Sequence, residues 1–150
     1  MSAEYSSNAA QVVPANGSVI FTESPNPCPC GLIYHRDGSG LFRLANRFFR
    51  RNINSCWRRN SRYLVSFHAN IGIPTGGTVE AISLAVSVDG EIDPSSTMIT
   101  VPAAVENLDN VGSEIVVTVP YLCGCSTVSI RNTSNQAITV QNANLVIDQA

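Results

Sequence analysis

Residues 63–71 read Tyr63-Leu64-Val65-Ser66-Phe67-His68-Ala69-Asn70-Ile71, so Tyr63, Val65, Phe67, Ala69 and Ile71 alternate with Leu64, Ser66, His68 and Asn70. Successive strand side chains point to opposite faces, and this period of two predicts a strand with one buried side. A second run follows, with Ile82, Leu84, Val86 and Val88 alternating with Ser83, Ala85 and Ser87 before Asp89-Gly90 ends it. Ile73-Pro74-Thr75-Gly76-Gly77 reads as the turn between the two. Strands are also predicted near residues 97–102, 114–119, 127–131 and 138–147. Upstream, residues 12–22 alternate in part around Pro14 and Gly17, which predicts two short strands. Residues 32–34 and 41–44 flank His35-Arg36-Asp37-Gly38-Ser39-Gly40, whose Asp-Gly step is a hairpin signal. The sum is about eight to ten strands at roughly ten-residue spacing, with no helix. That pattern predicts an all-β fold, an antiparallel jelly-roll sandwich.

The chain has 150 residues, enough for one domain with its own hydrophobic core. Charged residues are only 13%, where about 25% is usual, while hydrophobic residues are an ordinary 44%. Ser, Thr, Asn and Gln take the place of the missing charge, as on a secreted protein, a virion component or a tightly packed oligomer. Several strands also carry small residues opposite the core, such as Ser83, Ala85 and Ser87, or Ser126 and Ser129. Residues 1–11 read as an N-terminal arm without the basic and apolar regions of a secretory signal. Residues 12–150 read as a single jelly-roll domain. Pro25, Pro27 and Pro29 make residues 24–31 a rigid loop in this reading. No run approaches the roughly 20 apolar residues of a membrane helix, so synthesis in a cytoplasm and no membrane partner are expected.

Charge is distributed very unevenly. Arg43, Arg47, Arg50, Arg51, Arg58, Arg59 and Arg62 fall within residues 43–62, and no acid lies between Asp37 and Glu80. This segment reads as an Arg-rich insertion, a long loop with at most a short helical turn. Phe48, Phe49, Trp57 and Tyr63 interleave with the arginines. Such a mixture suits single-stranded nucleic acid, through phosphate pairing and base stacking. It equally suits a protein interface, where Arg and Trp are enriched in hot spots. The net charge of -2 turns the balance toward protein contact, because the acids elsewhere offer partners to the arginine forks. Arg43, Arg47, Arg50, Arg51, Trp57, Arg58, Arg59 and Arg62 are therefore the candidate partner-binding residues, with nucleic acid disfavoured.

The order of strands resembles the tumour-necrosis-factor-like jelly roll, in the compact version that ends collagen-like spore-exosporium glycoproteins. The resemblance rests on residues 63–71, on Ile82-Ser83-Leu84-Ala85-Val86-Ser87-Val88-Asp89-Gly90, on Glu114-Ile115-Val116-Val117-Thr118-Val119 and on Asn142-Ala143-Asn144-Leu145-Val146-Ile147. The chain is also similar to short virion proteins of phages and prophages of gut Firmicutes. Asn16-Gly17-Ser18-Val19-Ile20-Phe21-Thr22, Cys28-Pro29-Cys30-Gly31 and Tyr34-His35-Arg36-Asp37-Gly38-Ser39-Gly40 carry that second likeness. These resemblances imply a homotrimer and a phage virion structural role, as a capsid decoration or head-fibre-type protein bound to neighbouring capsid or fibre subunits. The alternatives they leave are a receptor- or glycan-binding trimeric tip that meets a host surface glycan, and a bacterial spore-surface protein. A Gly-X-Y collagen stalk is missing from the chain, which counts against the spore role.

Catalytic chemistry finds little footing. Cys28, Cys30, Cys123 and Cys125 form two Cys-x-Cys pairs, and Cys56 is the fifth cysteine. Disulfides between the two loops, a four-thiolate metal site and reduced thiols all remain open; the one-residue spacing departs from that of common zinc fingers. His35 and His68 have no orienting acid at a recognisable spacing, so neither is assigned to a catalytic pair. Asp89, Glu91 and Asp93 surround a turn without the ligand spacing of a calcium loop. Phosphate-loop and dinucleotide fingerprints are absent. The expectation is a binding protein with no cofactor and no enzymatic activity.

Overall fold

The computed structural model describes residues 2–28, 31–48, 59–121 and 124–150. Twelve strands are found among these described residues: β1 (Ser2–Ser7), β2 (Gln11–Val13), β3 (Glu23–Asn26), β4 (Ile33–His35), β5 (Phe42–Ala45), β6 (Ser61–Gly72), β7 (Ile82–Val88), β8 (Glu91–Ile92), β9 (Met98–Thr100), β10 (Leu108–Val119), β11 (Cys125–Asn132) and β12 (Ile138–Gln149). A single 3-10 turn, Pro94–Ser96, interrupts them, and its cap Asp93 accepts the Ser95 N–H. No helix among the described residues is long and apolar enough to cross a membrane.

The strands form two antiparallel sheets. Sheet A runs β10-β6-β12-β1-β3, with β2 also on β12; sheet B runs β4-β5-β11-β7-β8, with β9 also on β7. The alternation at residues 63–71 becomes the inner face of β6, where Tyr63, Val65, Phe67, Ala69 and Ile71 are all buried. β6 pairs with β10 without interruption from Ser61↔Val119 to Gly72↔Leu108. On its other side β6 pairs with β12, whose register shifts between Gln141 and Asn144. Asn142 adopts a positive φ of 54° at this bulge. One extra residue bends β12 there, so its first half pairs with β2 and its second half with β1.

The core lies between the sheets and is knitted by aromatic rings. Phe42 from sheet B makes edge contacts with Tyr5 at 4.8 Å and with Phe21 at 5.2 Å, and Phe21 reaches Phe67 of sheet A at 6.3 Å. The His35 ring stacks on Phe42 at 4.2 Å. Such pairs add about 0.5–1.5 kcal/mol each beyond the burial of their area. Burial, seconded by the Asp37 carboxylate, holds the Tyr5 phenol above its ordinary range.

Three sequence expectations change. The N-terminal arm is not an arm: residues 2–7 are β1, lying inside sheet A between β12 and β3, with Ala3 and Tyr5 buried. The Pro-rich loop begins later than residue 24, because Glu23–Asn26 pairs with β1 as β3. Pro25 is tolerated because β3 is an edge strand, where one side needs no donor. The Arg-rich insertion does not span 43–62 either. Arg43 lies within β5 and Arg62 within β6, leaving only residues 46–60 between those strands.

Candidate functional site

β5 ends and β6 begins at the same end of the sandwich, and one buried side chain holds the base of the connection between them. Asn46 is buried, and its Nδ2 donates to the Arg59 carbonyl at 2.9 Å and to the Val119 carbonyl at 2.9 Å. Its Oδ1 accepts the Phe48 N–H at 2.8 Å, and its own N–H donates to the Gly124 carbonyl at 2.8 Å. The Ser61 hydroxyl accepts the Arg47 N–H at 2.8 Å. The Tyr63 hydroxyl donates to the Ala45 carbonyl, and burial pushes this phenol up to about 12, opposed by the Arg47 charge. Entry and exit of the loop are thereby tied to each other and to the segment that leads from β10 to β11. Each of these buried groups left without a partner would cost about 1–3 kcal/mol.

Arg47 and Arg59 are exposed at this base, with the Arg47 guanidinium carbon 4.9 Å from the Phe48 ring centroid. Arg62 is exposed on the outer face of sheet A, in register with Thr118. Arg43 is exposed on the outer face of sheet B. The candidate arginines therefore do not share one surface: Arg47, Arg59 and Arg62 gather at the loop end, and Arg43 stands apart. Arg50, Arg51, Trp57 and Arg58 lie outside the described residues.

The cysteines divide similarly. Cys28 is disulfide-bonded. Cys125, at the start of β11, is an exposed free thiol, so of the alternatives left open the disulfide holds for Cys28 and the reduced thiol for Cys125. Cys30, Cys56 and Cys123 lie outside the described residues. Among the described residues no group of three or more His, Cys, Asp and Glu side chains is placed to hold a metal ion. The acids after β7 serve the backbone instead: Asp89 accepts the Thr127 N–H at 2.9 Å, and Asp93 caps the 3-10 turn. His68 is exposed on the outer face of sheet A, as its place in the alternation predicts. His35 is not a turn residue but part of β4, packed on Phe42.

The outer face of sheet A is the larger feature, and sequence reasoning missed it: the small residues placed opposite the core lie on β7 and β11 of sheet B, where Ala85, Ser87 and Ser126 are buried. Along it Asn110 donates to Asn70 at 3.1 Å and Asn70 donates to Asn142 at 3.3 Å, a ladder of amides across three strands. Beside the ladder, Asn144 and Asn26 both donate to the Glu4 carboxylate, at 2.9 and 3.1 Å. Two open cavities of about 500 and 480 Å³ lie on the same face. Leu108, Gly72, Thr139 and Val12 line the first, and Glu4, Pro25 and Val146 are among the residues lining the second. A side chain at Gly72 would strike the Asn107 carbonyl at 2.4 Å, which keeps this row low. Val12, Leu108 and Val116 point outward and are 63%, 42% and 60% exposed. The sequence signal for this face was present as Val12 against Val13 and Val116 against Val117, but it was hidden among ordinary alternating strands.

Solved structures share this arrangement end to end. The globular domain of zebrafish complement 1qA matches with a TM-score of 0.61 at 11% identity, over 99% of this chain and 94% of that one. Eiger TNF from S. frugiperda matches with a TM-score of 0.63 at 10% identity, over 100% and 92% of the two chains. This is the tumour-necrosis-factor-like jelly roll. Murine APRIL agrees, with a TM-score of 0.62 at 9% identity over 99% of each chain. Identities this low concern the fold alone. No protein-family model matches the chain. No curated protein matches it in sequence. The jelly roll expected from strand order is therefore the fold of the protein.

Proposed function

We propose that the chain is a homotrimeric attachment protein of a phage virion, a capsid decoration or head-fibre-type component that acts by binding and not by catalysis. The observation that carries the self-association is the outer face of sheet A. It combines exposed Val12, Leu108 and Val116 with amide side chains that can exchange hydrogen bonds with a second copy. Exposed apolar groups that share a face with hydrogen-bonding amides give a protein interface both area to bury and donors and acceptors to match. Arg47 and Arg59 at the loop end, with Arg62 at the adjoining margin of this face, would engage acidic groups on a neighbouring capsid or fibre subunit. The virion setting is supported by the likeness of residues 16–22, 28–31 and 34–40 to phage proteins. Mass spectrometry of purified phage particles tests it. The chain should be present in intact particles in a copy number divisible by three; particles that lack it would refute the virion role.

A further inference from the structure

The hairpin of β4 and β5 pairs Tyr34 with Arg43 and His35 with Phe42. His35 and Phe42 face the core, so Tyr34 and Arg43 face solvent on sheet B. The Arg43 guanidinium carbon sits 5.3 Å from the Tyr34 ring centroid. One step toward the turn, the same register brings Arg36 and Leu41 together. These four side chains, with Ser39 and Thr127, line a shallow cavity of about 180 Å³. Tyr34 and Leu41 remain 58% and 53% exposed, and both arginines are exposed.

Two guanidinium groups at neighbouring positions repel each other, and among the described residues neither has a carboxylate partner. Two carboxylates on neighbouring segments hydrogen-bond to neutral groups. Asp37 accepts the Ser24 hydroxyl at 2.6 Å, and Asp89 accepts the Thr127 N–H from the far side of β11. Stacking on Tyr34 fixes the plane of the Arg43 fork, which favours bidentate capture of an oxyanion. Around the two cations stand the hydroxyls of Tyr34, Ser39 and Thr127. An aliphatic carboxylate would satisfy the guanidinium groups and leave these hydroxyls to water; a hydroxylated ring would satisfy both. The cavity is smaller than the roughly 300–1,000 Å³ of a drug-sized site, which suits one ring.

We infer that this hairpin carries a binding site for a single carboxylated sugar residue, as found in acidic polysaccharides. Arg43 and Arg36 hold the carboxylate, the hydroxyls of Ser39 and Thr127 reach the ring hydroxyls, and Leu41 packs on the ring's apolar edge. The site lies on the sheet opposite the proposed self-association face, so it stands independently of that reading.

Amide-resolved NMR titration of the intact protein tests it, with D-glucuronic acid as probe and D-glucose, inorganic phosphate and tetraglutamate as comparisons. The expected result is saturable shifts at residues 34–43 and Thr127 with glucuronic acid, and none with glucose. Arg43→Gln should weaken that binding by about tenfold or more, the loss of one charge-assisted paired contact. Arg43→Lys, which keeps the charge and loses the fork, should weaken it as well. Glucose binding equally well, phosphate or tetraglutamate binding more tightly than glucuronic acid, or no shift with any probe would overturn the assignment. Sedimentation of the Arg43→Gln protein should match the unmodified chain, which separates failure here from failure of self-association.

Discussion

The two outer faces of the sandwich are built on the same core yet differ in chemistry. On sheet A, Glu4, Glu23, Glu114 and Asp148, with Arg62 at one end, share the surface with an amide ladder and exposed Val12, Leu108 and Val116. On sheet B, Arg36, Arg43 and Arg131 stand among Tyr34, Ser129 and Thr127. The first face offers apolar area and self-complementary amides; the second offers fixed positive charge around a small hollow. A jelly roll keeps its inner faces apolar whatever it does, so these outer residues are where chains of one fold part company.

The sharpest way to break the contrast is to put a charge on the first face. Val116→Arg places a guanidinium where three copies would meet, and burying an unpaired charge costs several kcal/mol. The expected outcome is complete loss of trimer with the fold intact by circular dichroism. A variant that still assembles would move the interface elsewhere.

The next effect tests what the two faces share. Phe42→Ala removes the ring that joins Tyr5, Phe21 and His35 across the layers. Urea denaturation should show a loss of about 3–5 kcal/mol. A loss under about 1 kcal/mol would mean that the aromatic cluster is incidental to joining the sheets.

Much of this was legible in the chain and some was not, for identifiable reasons. β6, β10 and β12 bury alternate residues for long enough that period two stands out, and β7 alternates in sequence although Ala85 and Ser87 are buried as well. β1 escaped because it buries only Ala3 and Tyr5 among its apolar residues, and two matches cannot be told from chance. β3 escaped because Pro25 reads as a breaker, and only the fold shows that its strand is at an edge. The arginines were grouped by nearness in sequence, which joined Arg43 to Arg62 although they stand on opposite sheets. The same grouping left out Arg36, whose link to Arg43 passes through the hairpin turn at Asp37-Gly38. That turn was visible, and its register would have placed Tyr34 opposite Arg43.

A smaller effect distinguishes the buried base of the arginine loop from the open faces. With Tyr63 held at about 12 against an ordinary 10, the neutral phenol is the form favoured by folding. Its contribution is full below pH 10 and is lost as pH rises toward 12. Spectrophotometric titration should show Tyr63 ionising last of the four tyrosines, with Tyr5 also above the ordinary range, and Tyr63→Phe should remove the latest step. If all ionise together near 10, the phenol is not held in the loop base as described.

The contrast between the faces rests on one claim, that sheet A's outer face meets further copies of this chain. Sedimentation equilibrium of the purified protein at micromolar concentration tests it most directly. A trimer gives a single species of three times the 16.0 kDa chain mass, which is the expected result. A stable species at 16.0 kDa would contradict it.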